Sequence, residues 1–116
     1  MEAGKYRGLS EDRKTWHKGF LIDWRRYSGD CEIMDLHHAY KVIPETVGQL
    51  VARIGDNEVY VGDELVNPKG RVHTVVIWDN LPALKYTDKG SVFYQPMTQG
   101  FLKNKKVIGN IHQQKF

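Results

Sequence analysis

The side chains best suited to chemistry in this chain of 116 residues are five histidines, His17, His37, His38, His73 and His112, and one cysteine, Cys31. A metal site on one helix face needs ligands four residues apart, and no histidine pair has that spacing. His37 and His38 are neighbours, which on a strand point to opposite faces. A nucleophilic thiolate needs a positive group beside it to lower the thiol pKa. Cys31 instead lies in Asp30-Cys31-Glu32, between two acids that raise it, and reads as a buried or half-buried structural residue. With a single cysteine the chain can form no internal disulfide, no thiolate zinc cluster and no CxxC redox pair. Glu11 and Asp12 stand beside Arg13 and Lys14, the pattern of a solvated turn. There is no glycine-rich phosphate loop opening a helix and no nucleophile elbow. The expectation is a protein that is not an enzyme and has no cofactor and no metal.

Two segments are candidates for binding instead. Trp24, Arg25, Arg26 and Tyr27 interleave aromatics with guanidinium groups, which stack on bases, pair with phosphates and dominate protein interfaces. Read as a strand, Trp24 and Arg26 share one face and Arg25 and Tyr27 the other, and the plain alternative is arginines lying along a packed face. The second segment is the basic end. The net charge is +3, yet Lys89, Lys103, Lys105, Lys106 and Lys115 lie in a stretch without acids, so the preceding residues carry twelve basic against fourteen acidic groups. Lys103, Lys105 and Lys106 could attract phosphate, although such a run is commonly a solvated face. Gly62-Asp63 is the sharpest local motif and reads as a structural turn: glycine permits a bend, and the carboxylate accepts the backbone N–H groups that the bend frees.

The elements that must position these residues are short. An apolar content of 41% with 27% charged residues indicates a soluble globular chain, and this length suits one domain, residues 1–116. The charged opening MEAGKYRGLSEDRK lacks the apolar run of a signal peptide or membrane span, which suggests the cytoplasm and no membrane. Segments rich in Val, Ile, Tyr, Phe and Trp, punctuated by glycine, predict strands at 5–9, 14–24, 32–36, 39–43, 57–66 with a bend at Gly62, 71–79, 83–87, 91–95 and 106–112. Asn67-Pro68-Lys69-Gly70 suits a type I turn, and Asp88-Lys89-Gly90 a hairpin. Residues 45–54 are ambiguous: Val47, Leu50, Val51 and Ile54 follow a helical period, whereas Gly48 and the β-branched residues oppose a helix. The fold class is mainly β.

Three blocks read together resemble the YopX family of phage and prophage proteins: Lys5-Tyr6-Arg7-Gly8; VIPETVGQ at 42–49 with GDNEVYVGDELV at 55–66; and KVIGNI at 106–111. Trp16 and Gly19 before Phe20-Leu21-Ile22 fit the same pattern over the whole chain. The chain departs from it at Val61, in the short loop 55–58 and in the ending after Ile111. The resemblance implies a small SH3-like β-barrel, a strand at 47–54, a homo-oligomer and the cytoplasm of a bacterial host. It implies no reaction. The expected function is a phage accessory module that binds a host or phage protein; the alternative is a nucleic-acid-binding barrel using the basic C-terminal quarter and Trp24–Tyr27. In a closed barrel the first and last strands should meet, with Val107, Ile108 and Ile111 in the core and Gly109 allowing close backbone approach or a bulge.

Overall fold

Runs of β-branched and aromatic residues between turn formers build eleven strands among residues 5–112, which the computed structural model describes. Lys115 and the rest of the ending at 113–116 lie outside these residues. The chain forms two units, one up to Leu50 together with His112, the other Val51–Ile111.

The first unit contains β1 (Tyr6–Leu9), β2 (Trp16–Trp24), β3 (Asp30–Met34), β4 (Ala39–Val42) and the start of β5 (Gly48–Ile54). Their order is β4-β3-β2-β1-β5, with antiparallel ladders throughout. Cys31, Ile33 and Val42 are buried together, packed by Tyr6, Leu21 and Val47. A single bridge, Ser10 to Val42, and the Ile43 N–H donated to the Leu9 carbonyl at 2.9 Å bring the end of β4 back to the end of β1. Between β4 and β5 the chain makes one 3-10 turn, Pro44–Thr46, and the buried Thr46 hydroxyl accepts the Leu9 N–H at 2.9 Å. Proline thus starts a helical turn that Gly48 and its β-branched successors do not prolong, and 48–54 is a strand.

The rest of β5 runs into the second unit, where β6 (Asn57–Tyr60) returns beside it. A five-stranded antiparallel sheet follows, ordered β10-β9-β8-β7-β11: β7 (Asp63–Val66), β8 (Val72–Trp78), β9 (Leu81–Asp88), β10 (Ser91–Pro96) and β11 (Lys106–Asn110). Val51, Val59, Leu65, Val75, Leu84 and Leu102 form its core. Asn67 stabilises the β7–β8 turn: its Oδ1 accepts the Lys69 and Arg71 N–H groups at 3.0 and 2.8 Å. A two-residue turn, Lys89-Gly90, closes the β9–β10 hairpin on the pair Asp88 and Ser91, with both turn residues at positive φ (51° and 82°). Leu102 reaches the core from a single helical turn, α1 (Gln99–Leu102), capped by the Thr98 hydroxyl, which accepts the Phe101 N–H at 3.3 Å.

Several expectations need correction. Neither sheet closes into a barrel: β10 and β11 end one sheet and β4 and β6 the other. The terminal strands do not pair, since β11 bonds to β7 while β1 lies between β2 and β5. On the edge strand β11 Val107 and Ile108 are exposed rather than in the core, as is Ile111 just past its end, whereas the irregularity expected at Gly109 is present, the register shifting between Val107 and Gly109. The segment 57–66 is two strands separated at Val61-Gly62, where Gly62 has φ +95°.

Around that break lies a buried polar cluster. Asp63 accepts the Tyr60 N–H at 2.9 Å through one carboxylate oxygen and the Asn110 side-chain amide at 3.1 Å through the other. Gly62 donates its N–H to the Val75 carbonyl at 2.8 Å and accepts the Ile111 N–H at 3.0 Å. A Cβ on Gly62 would stand 3.0 Å from the Asn110 Nδ2. Replacing Asp63 by alanine leaves buried donors without acceptors, so it should lower the unfolding free energy by about 2–3 kcal/mol. Gly62→Ala should cost about 1 kcal/mol or more from backbone strain alone. Urea denaturation reads both; an unchanged midpoint for Asp63→Ala would remove the cluster from the account.

Candidate binding surface

Trp24–Tyr27 is not a continuous strand. Trp24 ends β2, and its carbonyl accepts the N–H groups of Tyr27, Ser28 and Gly29, which turns the chain immediately. The Trp24 indole donates to the Glu32 carboxylate at 3.1 Å, and the Arg25 guanidinium makes a two-point pair with Asp23 at 2.9 and 2.6 Å. That pairing holds the Asp23 carboxyl far below the usual carboxylate range and raises the Arg25 pKa. Tyr27 stands 84% exposed at the tip and Arg26 beside it is exposed. Of the two guanidinium groups, Arg25 has its charge committed locally.

The lysines of the basic end divide similarly. Lys103 and Lys106 are exposed, at the end of α1 and the start of β11. Lys105 folds back: its amine donates to the Phe101 carbonyl at the C-terminal end of α1 and lies 6.0 Å from the Phe101 ring centroid. Burial lowers its pKa.

The second unit presents a surface that the sequence reading did not single out. Register places Trp78 opposite Leu81, Lys85 between Thr74 and Tyr94, and Thr87 opposite Val92, with all of these side chains on the sheet face opposite buried Val75 and Leu84. On this outer face Trp78 (54% exposed), Leu81 (66%), Val92 (50%) and Tyr94 (38%) remain open to solvent. The Trp78 and Tyr94 rings stack at 4.6 Å and 5° across Ala83, beside a hollow of about 300 Å³ rimmed by Asp79, Pro82 and Pro96. A broader concavity of about 1040 Å³ is lined by Thr74, Lys85 and Thr87 of this face together with Asn67, Lys69 and Arg71 from the β7–β8 turn, among others. The half-buried Glu64 lies opposite Thr74. The signal in the sequence was the pair of successive hairpins over 71–95, whose residues 78, 92 and 94 are large and apolar.

On the inner face, buried His73 stacks on Tyr86 at 5.0 Å, Tyr86 stacks on Phe93 at 5.4 Å, and Arg71 lies 5.0 Å over the Tyr86 ring while pairing with Asp88 at 3.4 Å. His73 Nδ1 is buried without a hydrogen-bond partner among the described residues. Cys31 is wholly buried, and burial raises its pKa, partly offset by Arg25 and reinforced by Asp23 and Asp30. Among the described residues no three of His, Cys, Asp and Glu are grouped to hold a metal ion, and no helix is long and apolar enough to cross a membrane. No protein-family model, no curated protein and no solved structure matches the chain.

Burial first, then the charges of Lys105 and Arg71, lowers the His73 pKa below 6.5. The folded state therefore resists a proton that the unfolded chain accepts. His73 should contribute fully above about pH 6.5 and progressively less as pH falls through the folded-state pKa. The urea midpoint of wild type should hold a constant offset from that of His73→Phe above about pH 6.5 and fall relative to it as pH drops towards the folded-state pKa. A difference independent of pH would contradict this.

Proposed function

We propose that this chain is a non-enzymatic binding module of the YopX-like phage and prophage type, engaging a host or phage protein in the bacterial cytoplasm through the outer face of β8, β9 and β10. The observation that carries this reading is the joined exposure of Trp78, Leu81, Val92 and Tyr94 on one sheet face. Soluble proteins usually scatter single apolar residues over their surface, whereas a contiguous patch rich in Trp and Tyr marks a contact site. The blocks at 5–8, 42–49, 55–66 and 106–111 support the family and its setting. As part of the same proposal, the SH3-like element belongs to the second unit, supported by its five short antiparallel strands and one-turn helix around one core.

The nucleic-acid reading retains one supporting observation, the concavity that carries Lys69 and Lys85, with Arg71 at its wall paired to Asp88. It loses weight at Arg25 and Lys105, whose charged groups are engaged within the chain.

A pulldown from bacterial host extract, with and without nuclease, separates the readings when wild type is run beside a Trp78→Ala/Tyr94→Ala double variant. The expected result is a protein retained by wild type after nuclease treatment and lost by the double variant at unchanged circular dichroism. Nuclease-sensitive capture would favour nucleic acid. No capture, or capture indifferent to the two aromatics, would overturn the proposal.

A further inference from the structure

The four sheet edges are not alike. An edge strand offers unpaired N–H and C=O groups, and proteins ordinarily block it with short length, charge, a bulge or proline. Strand β4 has four residues, carries Lys41 and meets Ser10 in a bridge; β6 has four residues and carries Glu58. Strand β11 begins with Lys106 and is bulged between Val107 and Gly109. Strand β10 has six residues, Ser-Val-Phe-Tyr-Gln-Pro, with no charge, no register shift and no proline before its last position. Val92, Phe93 and Tyr94 are all exposed there.

The hairpin fixes which backbone groups are open. A two-residue turn closes on a pair that exchanges both hydrogen bonds, and the pattern then alternates. Ser91, Phe93 and Gln95 therefore spend their groups on Asp88, Tyr86 and Leu84 of β9, and Val92 and Tyr94 point theirs outward. Pro96, next in the outward series, has no N–H to offer.

We propose that β10 pairs antiparallel with β10 of a second copy about a two-fold axis at Phe93, joining two five-stranded sheets into one of ten strands. The strand is self-complementary about that residue, as a two-fold interface requires. Val92 and Tyr94 lie symmetrically on either side of Phe93, so each exchanges both backbone bonds with Tyr94 or Val92 of the second copy. Val92 then packs against Tyr94 of the second copy on the outer face, and Phe93 meets its counterpart on the inner face. No charges oppose one another within the paired strands. The pairing extends the aromatic outer face of each copy with Val92 of the other. It does not require the protein-binding reading, because the Trp78 end of that face stays open either way.

A five-residue overlap buries less than the roughly 1,200 Å² of a standard complex, so the dimer should dissociate on dilution. Sedimentation equilibrium of the full chain should show a mass rising from 13.4 kDa towards twice that value with concentration. In hydrogen exchange over the same range, the Val92 and Tyr94 amides should gain protection with concentration, while Phe93 is protected throughout. Val92→Pro removes only an outward N–H and should hold the protein monomeric at unchanged circular dichroism. Phe93→Lys, an edge-blocking charge, serves should the proline variant misfold. A mass of one chain at all concentrations would overturn the proposal. So would a dimer whose Val92 and Tyr94 amides stay open, or one that survives both substitutions. The pairing is read on mass and on the β10 amides, whereas capture of a protein is read at Trp78, which lies outside the paired strands.

Discussion

The second unit depends on one buried carboxylate. Asp63 begins β7 at the break where β6 ends, and it holds the Tyr60 N–H on one side and the Asn110 amide on the other. A carboxyl group at 1% exposure is tolerable only where donors converge on it, and here they come from the chain before the break and from the far end of the fold. Gly62 makes the convergence possible. Its φ of +95° turns the chain, and its missing side chain leaves room for Asn110. Through these contacts β11 is fastened to β7 although 47 residues separate Asp63 from Asn110.

That fastening determines what the remaining strands can offer. With β11 closing one edge by a bulge and Lys106, the sheet keeps a single open edge at β10 and an outer face with no covering layer among the described residues. The core needs only the inner face, filled by Leu65, Val75, Leu84 and Leu102 with Val51 and Val59. Trp78, Leu81, Val92 and Tyr94 are therefore not required by the packing of their own unit. Their exposure has the physical character of a contact surface, which is what the proposed binding role uses.

Local chemistry was legible in the sequence, and its assembly was not. The Asn67 and Lys89-Gly90 turns were readable because their conformations are dictated by the residues within them. The Asp79-Asn80 turn, with φ of 53° and 64°, escaped because it carries no glycine, and α1 escaped because four residues cannot display a helical period. The strand was legible as far as Trp24, where β2 ends, but nothing local marks the three N–H groups that converge on the Trp24 carbonyl and turn Arg25–Tyr27 away from a strand. Closure was misjudged for a different reason: pattern identifies β1 and β11 as strands but does not say that β11 pairs with β7. The Trp78–Tyr94 stack depends on the register of two successive hairpins, and the boundary between units falls inside β5, where no change of composition announces it.

The measurement that bears most directly on the role of Asp63 is a double-mutant cycle between Asp63→Ala and Asn110→Ala, read as unfolding free energy in urea. Both residues are buried, and their side chains meet at 3.1 Å. If the pair fastens β11 to β7, the two losses must be strongly non-additive, with a coupling of about 1 kcal/mol or more, because removing either partner already forfeits the contact. Additive losses would mean that the two side chains act separately and that something else holds the last strand in place.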